Sequence, residues 1–367
     1  MGPLSITVEI SADGAVKARS WRDSAEKAGK RQVDLSGLDG RVLRVFERWL
    51  MEHDRVWDRE DIRVFGQLLH RRLFPREVWN WIEKQIDNRG DDLVRLQLAF
   101  PADAASSRLA ALPWEFLCAP DRSAEDGWFL ALTPGLMLSR TVPGPEGATV
   151  TMDKVRILPV VGDAHNDWLG TVDYKPVLQA VAATAERLDF EILDPAVEVT
   201  RAELADKVSE TQPHVVHYIG HGRFDRQTGR GSVALCATGG GTCWIDENDL
   251  GEALYGDDWK TTIVVLHACE GGRNDYEYRH AGLAPSLVRR GVQCVVAMQY
   301  PVTNQTAIDF SSALYEALAD RQYLDEAVQT ARQQIWQATK DARLLGVPMI
   351  YQRNAAPLLG VPAERGT

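Results

Sequence analysis

A chain of 367 residues exceeds what one hydrophobic core usually covers, and its 45% hydrophobic and 25% charged content is that of an ordinary globular protein, which excludes the disordered classes. A formal net charge of −11 argues against a general phosphate-binding surface, so nucleic acid is not an expected partner. The N-terminus MGPLSITVEI carries no basic segment followed by an apolar stretch, and no apolar run is long enough to span a bilayer, so a cytoplasmic protein with no membrane partner is expected.

The alternation Leu4-Ser5-Ile6-Thr7-Val8-Glu9-Ile10 predicts a half-buried strand that ends at the Asp13-Gly14 turn, followed by a polar stretch. From Arg41 to His53 apolar residues recur at helical spacing, and Ile62 to Ile86 repeats the pattern with a break at Pro75. Trp49, Trp57, Trp79 and Trp81 in this region could mark a docking surface, but aromatic residues at helical spacing read better as core. Leu93–Phe100 and Trp128–Leu132 have strand character, and Gly144-Pro145-Glu146-Gly147 reads as a linker. Two parts follow from it, residues 1–148 and residues 149–367.

Beyond the linker, strands alternate with helices, the pattern of a mostly parallel α/β sheet flanked by helices. Strands are expected at Val155–Val161, Phe190–Leu193, His214–Ile219, Ser232–Cys236, Thr261–Leu266 and Gln293–Met298. Helices are expected at Pro176–Leu188, Arg201–Thr211 from a Thr200 cap, Leu283–Arg290, Gln305–Ala319 and Asp325–Thr339. Gly239-Gly240-Gly241 lacks the following Lys-Ser/Thr of a phosphate loop and reads as a hairpin turn. The five cysteines, 118, 236, 243, 269 and 294, suit neither a disulfide framework nor a zinc site, and neither a metal nor another cofactor is expected.

Two apolar runs end on reactive side chains followed by glycine: Gly220-His221-Gly222 and His267-Ala268-Cys269-Glu270-Gly271-Gly272. Sheets of this kind carry their sites at the carboxyl ends of strands. If the two strands are neighbours, an imidazole can activate the thiol, and the thiolate can attack a carbonyl carbon. Gly222 and Cys269 would supply the oxyanion-hole N–H groups, and His221 would later protonate the leaving amine. The bland alternative is a packed histidine and an inert buried thiol. His217 inside its strand reads as core, and His214 at its start as exposed. The polar run Gly271–Gly282 reads as an active-site loop.

The blocks LPWEFLCAP (112–120), WFLALTPGLMLSRTV (128–142), VVHYIGHGRFD (215–225), IVVLHACEGG (263–272) and LAPSLVRRGVQCVVAMQYPV (283–302) resemble, in content and order, the CHAT domain, a bacterial branch of the caspase and separase superfamily. His221 precedes Cys269 by 48 positions, close to the roughly 50 of caspases. The resemblance, over about residues 90–345, implies a caspase-like fold, an N-terminal α+β part like the pseudo-protease half of separases, and a metal-independent Cys/His dyad. It also implies protein substrates, a possible activating protein partner that relieves latency, and a place in bacterial antiviral defence or regulated death.

Metacaspases carry an acidic residue two positions before the nucleophile, where this chain has His267. Caspases carry an arginine after the first strand, where this chain has Gly162-Asp163. Cleavage after a basic or otherwise non-acidic residue is therefore expected, with Asp163 as first pocket candidate and Asp167 and Gln299 behind it. Arg223, Arg226, Arg230 and Arg273 are candidate self-cleavage positions in expected loops. The competing readings are a catalytically silent scaffold on the same fold and a thiol amidohydrolase or acyltransferase acting on a small molecule.

Overall fold

The computed structural model describes residues 3–11, 13–30, 38–50, 56–101, 109–110, 112–120, 127–142, 155–162, 165–166, 170–187, 190–225, 230–255, 261–268, 283–300, 302–320 and 323–353. The chain divides into two compact units, one of Met1–Pro143 with Arg332–Val347, the other of Gly144–Ala331 with Pro348–Thr367. The first break falls at the Gly144 linker, and residues 332–347 belong with the N-terminal segment.

In the first unit β1 (Leu4–Ile10), β2 (Ala15–Ser20) and β3 (Glu26–Lys30) form an antiparallel meander. The stretch expected to be merely polar therefore holds two strands. Val16, Ala18 and Ser20 are buried at alternate positions of β2, and the small side chains make that alternation faint in a hydropathy reading. Helices α1 (Leu38–Leu50), α2 (Arg59–Leu73) and α3 (Arg76–Asp87) follow, with Pro75 as the N-cap of α3. Trp57 and Trp79 are buried while Trp49 and Trp81 are half-buried, in keeping with the core reading.

Strand β4 (Val94–Ala99) lies parallel beside β1. After it come the short pair β5 (Cys118–Ala119) and β6 (Trp128–Phe129), and β7 (Leu136–Thr141) then lies parallel to β4. The block at 112–120 contains a 3₁₀ turn, Trp114–Phe116, that carries Glu115 inward. There the Arg140 guanidinium of β7 donates to Glu115 at 2.9 and 2.5 Å, to the Leu112 carbonyl at 3.0 Å and to the Ala110 carbonyl. Both ionic side chains are buried, and the carbonyls occupy further donors of the guanidinium, as a buried pair requires.

The second unit is built on β8 (Arg156–Val161), which is followed by the small hairpin β9 (His165–Asn166) and β10 (Gly170–Thr171). Then come α4 (Lys175–Arg187), β11 (Glu191–Ile192), β12 (Ala196–Val197) and α5 (Arg201–Thr211). Thr200 caps α5 in a full capping box with Glu203, as its sequence signature predicts. Strand β13 (Val215–Gly220) leads into β14 (Gly222–Asp225), β15 (Arg230–Cys236) and β16 (Thr242–Asp246), a three-stranded antiparallel sheet whose β15–β16 turn is the Gly239–Gly241 run, all at positive φ.

Next are α6 (Glu247–Ala253), β17 (Ile263–Ala268), α7 (Leu283–Arg290), β18 (Cys294–Met298), α8 (Asn304–Asp320), α9 (Leu324–Ala338) and β19 (Pro348–Gln352). The main sheet of this unit runs β11-β8-β13-β17-β18-β19, with β12 also on β8. Every pairing in it is parallel except β18 with β19. This is the expected α/β class, a mostly parallel sheet flanked by helices. No helix among the described residues is long and apolar enough to cross a membrane.

Candidate active site

The register of β13 on β17 pairs Val215 with Ile263 and continues without a slip to Gly220 with Ala268. His221 is the residue after Gly220, and Cys269 is the residue after Ala268 in the sequence. Cys269 itself lies outside the described residues, together with Asp163, Asp167, Arg226, Arg273 and the Gly271–Gly282 run. Gln299 follows β18, the strand on the other side of β17, and is buried.

His221 is held by its backbone. The Ala234 N–H of β15 donates to the His221 carbonyl at 3.0 Å. The Tyr218 hydroxyl lies 2.9 Å from that carbonyl and 2.9 Å from the Ala234 carbonyl, so one proton is shared between two acceptors. Tyr218 reaches forward along its own strand only because residue 220 is glycine: a Cβ there would collide with the Tyr218 hydroxyl and stand 2.7 Å from Cζ. Gly162, after β8, is confined by the same ring and by the Ala234 carbonyl. Sequence reasoning missed Tyr218 as a positioning residue, and its signal was the spacing Tyr-x-Gly-His. The His221 side chain is 0% exposed.

Beneath this edge lies a buried polar cluster. The His217 and His267 rings stack at 5.7 Å between centroids and 8° between planes, and His217 Nδ1 is 3.0 Å from the Tyr315 hydroxyl of α8. His217 is thus the packed, hydrogen-bonded residue expected from its strand. Among the described residues, His217 Nε2 and both His267 ring nitrogens find no hydrogen-bond partner. Burial pushes His267 down to about 4, and burial followed by repulsion from His267 holds His217 well below the ordinary histidine range. Burial also raises the Tyr315 hydroxyl well above the usual tyrosine range.

His214 corrects one expectation. It is buried, because its Nδ1 accepts the Arg156 N–H at 3.0 Å and so completes the hydrogen bonding at the start of β8. Burial and then the Arg156 charge push it down to about 4. Two expected self-cleavage loops are corrected as well: Arg223 and Arg230 lie in β14 and β15, where the backbone is engaged in ladder pairing instead of free to enter a protease cleft.

The fold and this edge define the class, an α/β unit with a mostly parallel sheet whose neighbouring strands end just before His221 and just before Cys269. Residues 64–358 match the model of the CHAT domain, and the chain belongs to that family. No curated protein matches the sequence. Among solved structures, the complex of Porphyromonas gingivalis RgpB pro- and mature domains is similar at 11% identity and TM-score 0.45, over 87% of this chain and 76% of that one. The Arg-specific cysteine proteinase gingipain R gives 12% identity and TM-score 0.47, over 79% and 69%. A Saccharomyces cerevisiae separase–securin complex gives 10% and 0.44, over 95% of this chain but 30% of the matched chain.

Proposed function

We propose that this CHAT-family chain is a cysteine endopeptidase that cuts protein substrates with a His221/Cys269 dyad. The observation that supports it is the register: Gly220 pairs with Ala268, and His221 and Cys269 are the next residues along the two strands. In this reading the His221 imidazole takes the thiol proton and the thiolate attacks the peptide carbonyl carbon. The Gly222 and Cys269 N–H groups hold the oxyanion. On collapse the carbon–nitrogen bond breaks, the leaving amine takes its proton from the imidazolium, and water then hydrolyses the thioester.

Complete burial of His221 supports a latent enzyme, since a general base must touch the thiol and the leaving group in turn. Opening of this edge, by a protein partner or by processing, precedes turnover. Selectivity for a basic or non-acidic residue before the cut rests on Asp163, with Asp167 and Gln299 as further pocket residues.

The test compares the native chain with Cys269→Ala and His221→Ala in a proteome-wide search for new protein N-termini, with and without cell extract as a source of activator. New termini that vanish in both variants are expected, with a non-acidic residue before each cut. Identical spectra in all three favour the silent scaffold. Loss of thiol-dependent turnover only on small amides favours the amidohydrolase.

A further inference from the structure

The strand that leaves His221 carries an unusual exposed pair. In the β14–β16 sheet Ala234 pairs with Trp244 and its N–H bonds the His221 carbonyl, so His221, Ala234 and Trp244 form one row across the sheet. Arg223 pairs with Ser232, two residues from Ala234 on the same strand, which puts Arg223 and Trp244 on the same face. The Arg223 Cζ stands over the Trp244 ring at 4.5 Å from its centroid. Arg223 is exposed, Trp244 is half-buried, and no carboxylate of the described residues forms an ion pair with Arg223.

A guanidinium lying over an indole is held in place by its face and leaves its N–H donors free at the rim, in the fork that matches a carboxylate. The pair is therefore a braced cation that no carboxylate among the described residues neutralises. Its direction from the dyad matters. The group that protonates the leaving amine stands on the leaving-group side of the scissile bond, and Arg223 lies two residues beyond that group, on a strand of the separate β14–β16 sheet.

We propose that Arg223, braced by Trp244, binds an aspartate or glutamate side chain of the substrate on the C-terminal side of the cut, within the first few residues after it. The inference rests on the peptidase reading, because only a dyad at His221 gives the platform a leaving-group side. It is independent of selectivity before the cut, which concerns the opposite side of the bond. A charge-assisted, forked contact of this kind is worth on the order of tenfold in binding.

The test uses a synthetic decapeptide library randomised at every position, with two readouts. In the first, cleavage products of the native chain, Arg223→Glu and Trp244→Ala, each incubated with cell extract as the source of activator and with Cys269→Ala as the blank, are sequenced. In the second, peptides retained by immobilised Cys269→Ala, with and without Arg223→Glu, are sequenced without any need for turnover. Expected are acidic residues enriched about tenfold after the cut for the native chain, a weaker preference in Trp244→Ala, and a reversal to lysine and arginine in Arg223→Glu. The reversal keeps the result distinct from misfolding, since a disordered variant cannot gain a new preference.

Cleavage with no charge preference after the cut, or with one that Arg223→Glu leaves unchanged, overturns the inference and leaves the peptidase standing. Absence of cleavage with a reversible acidic preference in the retained peptides overturns the peptidase reading while the carboxylate site survives. Absence of both overturns the two together.

Discussion

Cys118 sits in β5 with no exposure, and burial pushes its thiol up to about 12, so almost none of it is thiolate at neutral pH. Iodoacetamide at pH 8 is therefore expected to spare Cys118 in the native chain and to modify it fully in urea, read by peptide mass spectrometry. Native modification at the denatured rate would contradict this burial. Glu115 makes the opposite point about a buried ionic group, which is stabilising only while complete. Glu115→Ala removes the carboxylate that pairs with the buried Arg140 guanidinium, an expected loss of about 3–5 kcal/mol in chemical denaturation. Replacing both residues together with apolar ones of similar volume should cost less than the single change, because no charge is then left behind.

The strands and helices that the sequence made legible are those with strong periods. Arg201–Thr211, with its capping box, and Leu283–Arg290 match the expected bounds, and β8, β13, β17 and β18 each lie within two residues of theirs. What escaped were elements whose pairing partner, not their own pattern, defines them. β3 reads Glu26-Lys27-Ala28-Gly29-Lys30 and is a strand only because β2 lies beside it. β16 and β19 have the same origin, in a hairpin and in the antiparallel partner of β18.

The candidate site was half legible in the same way. Its glycines and strand ends stood in the sequence, whereas the reach of Tyr218 over Gly220 to the His221 carbonyl is a side-chain contact that hydropathy does not mark. That reach gives a test at the scale of the strand end. Gly220→Ala forces its Cβ against the Tyr218 ring and should cost about 1–3 kcal/mol, as overpacking of a tight site does. Tyr218→Phe removes the shared proton, and combined with Gly220→Ala it should cost clearly less than the sum. Strict additivity in urea titrations would mean that the two residues do not act on one another.

At the scale of the whole molecule, the buried histidines tie the second unit to pH. His267 is completely buried and held at about 4, against about 6.5 in an unfolded chain, while His214 is also at about 4 and His217 lies well below the ordinary range. The unfolded chain therefore binds protons below pH 6.5 that the native unit refuses. Stability is complete above about pH 6.5 and falls as pH drops toward 4, by about 3 kcal/mol for His267 alone. Carboxylates held low by hydrogen bonds, such as Glu203, add their own loss only below the ordinary carboxylate range, so the two effects separate in pH.

Amide hydrogen exchange of the β13 and β17 peptides, corrected for intrinsic rates, should show protection that declines between pH 6.5 and 5. His267→Phe keeps a ring against His217 while removing two buried nitrogens that no described residue hydrogen-bonds, and one titrating group. It is expected to be equal to or more stable than the native chain at pH 8, with a gain that grows as pH falls to 5. A gain independent of pH would assign the benefit to packing alone and remove His267 from the linkage.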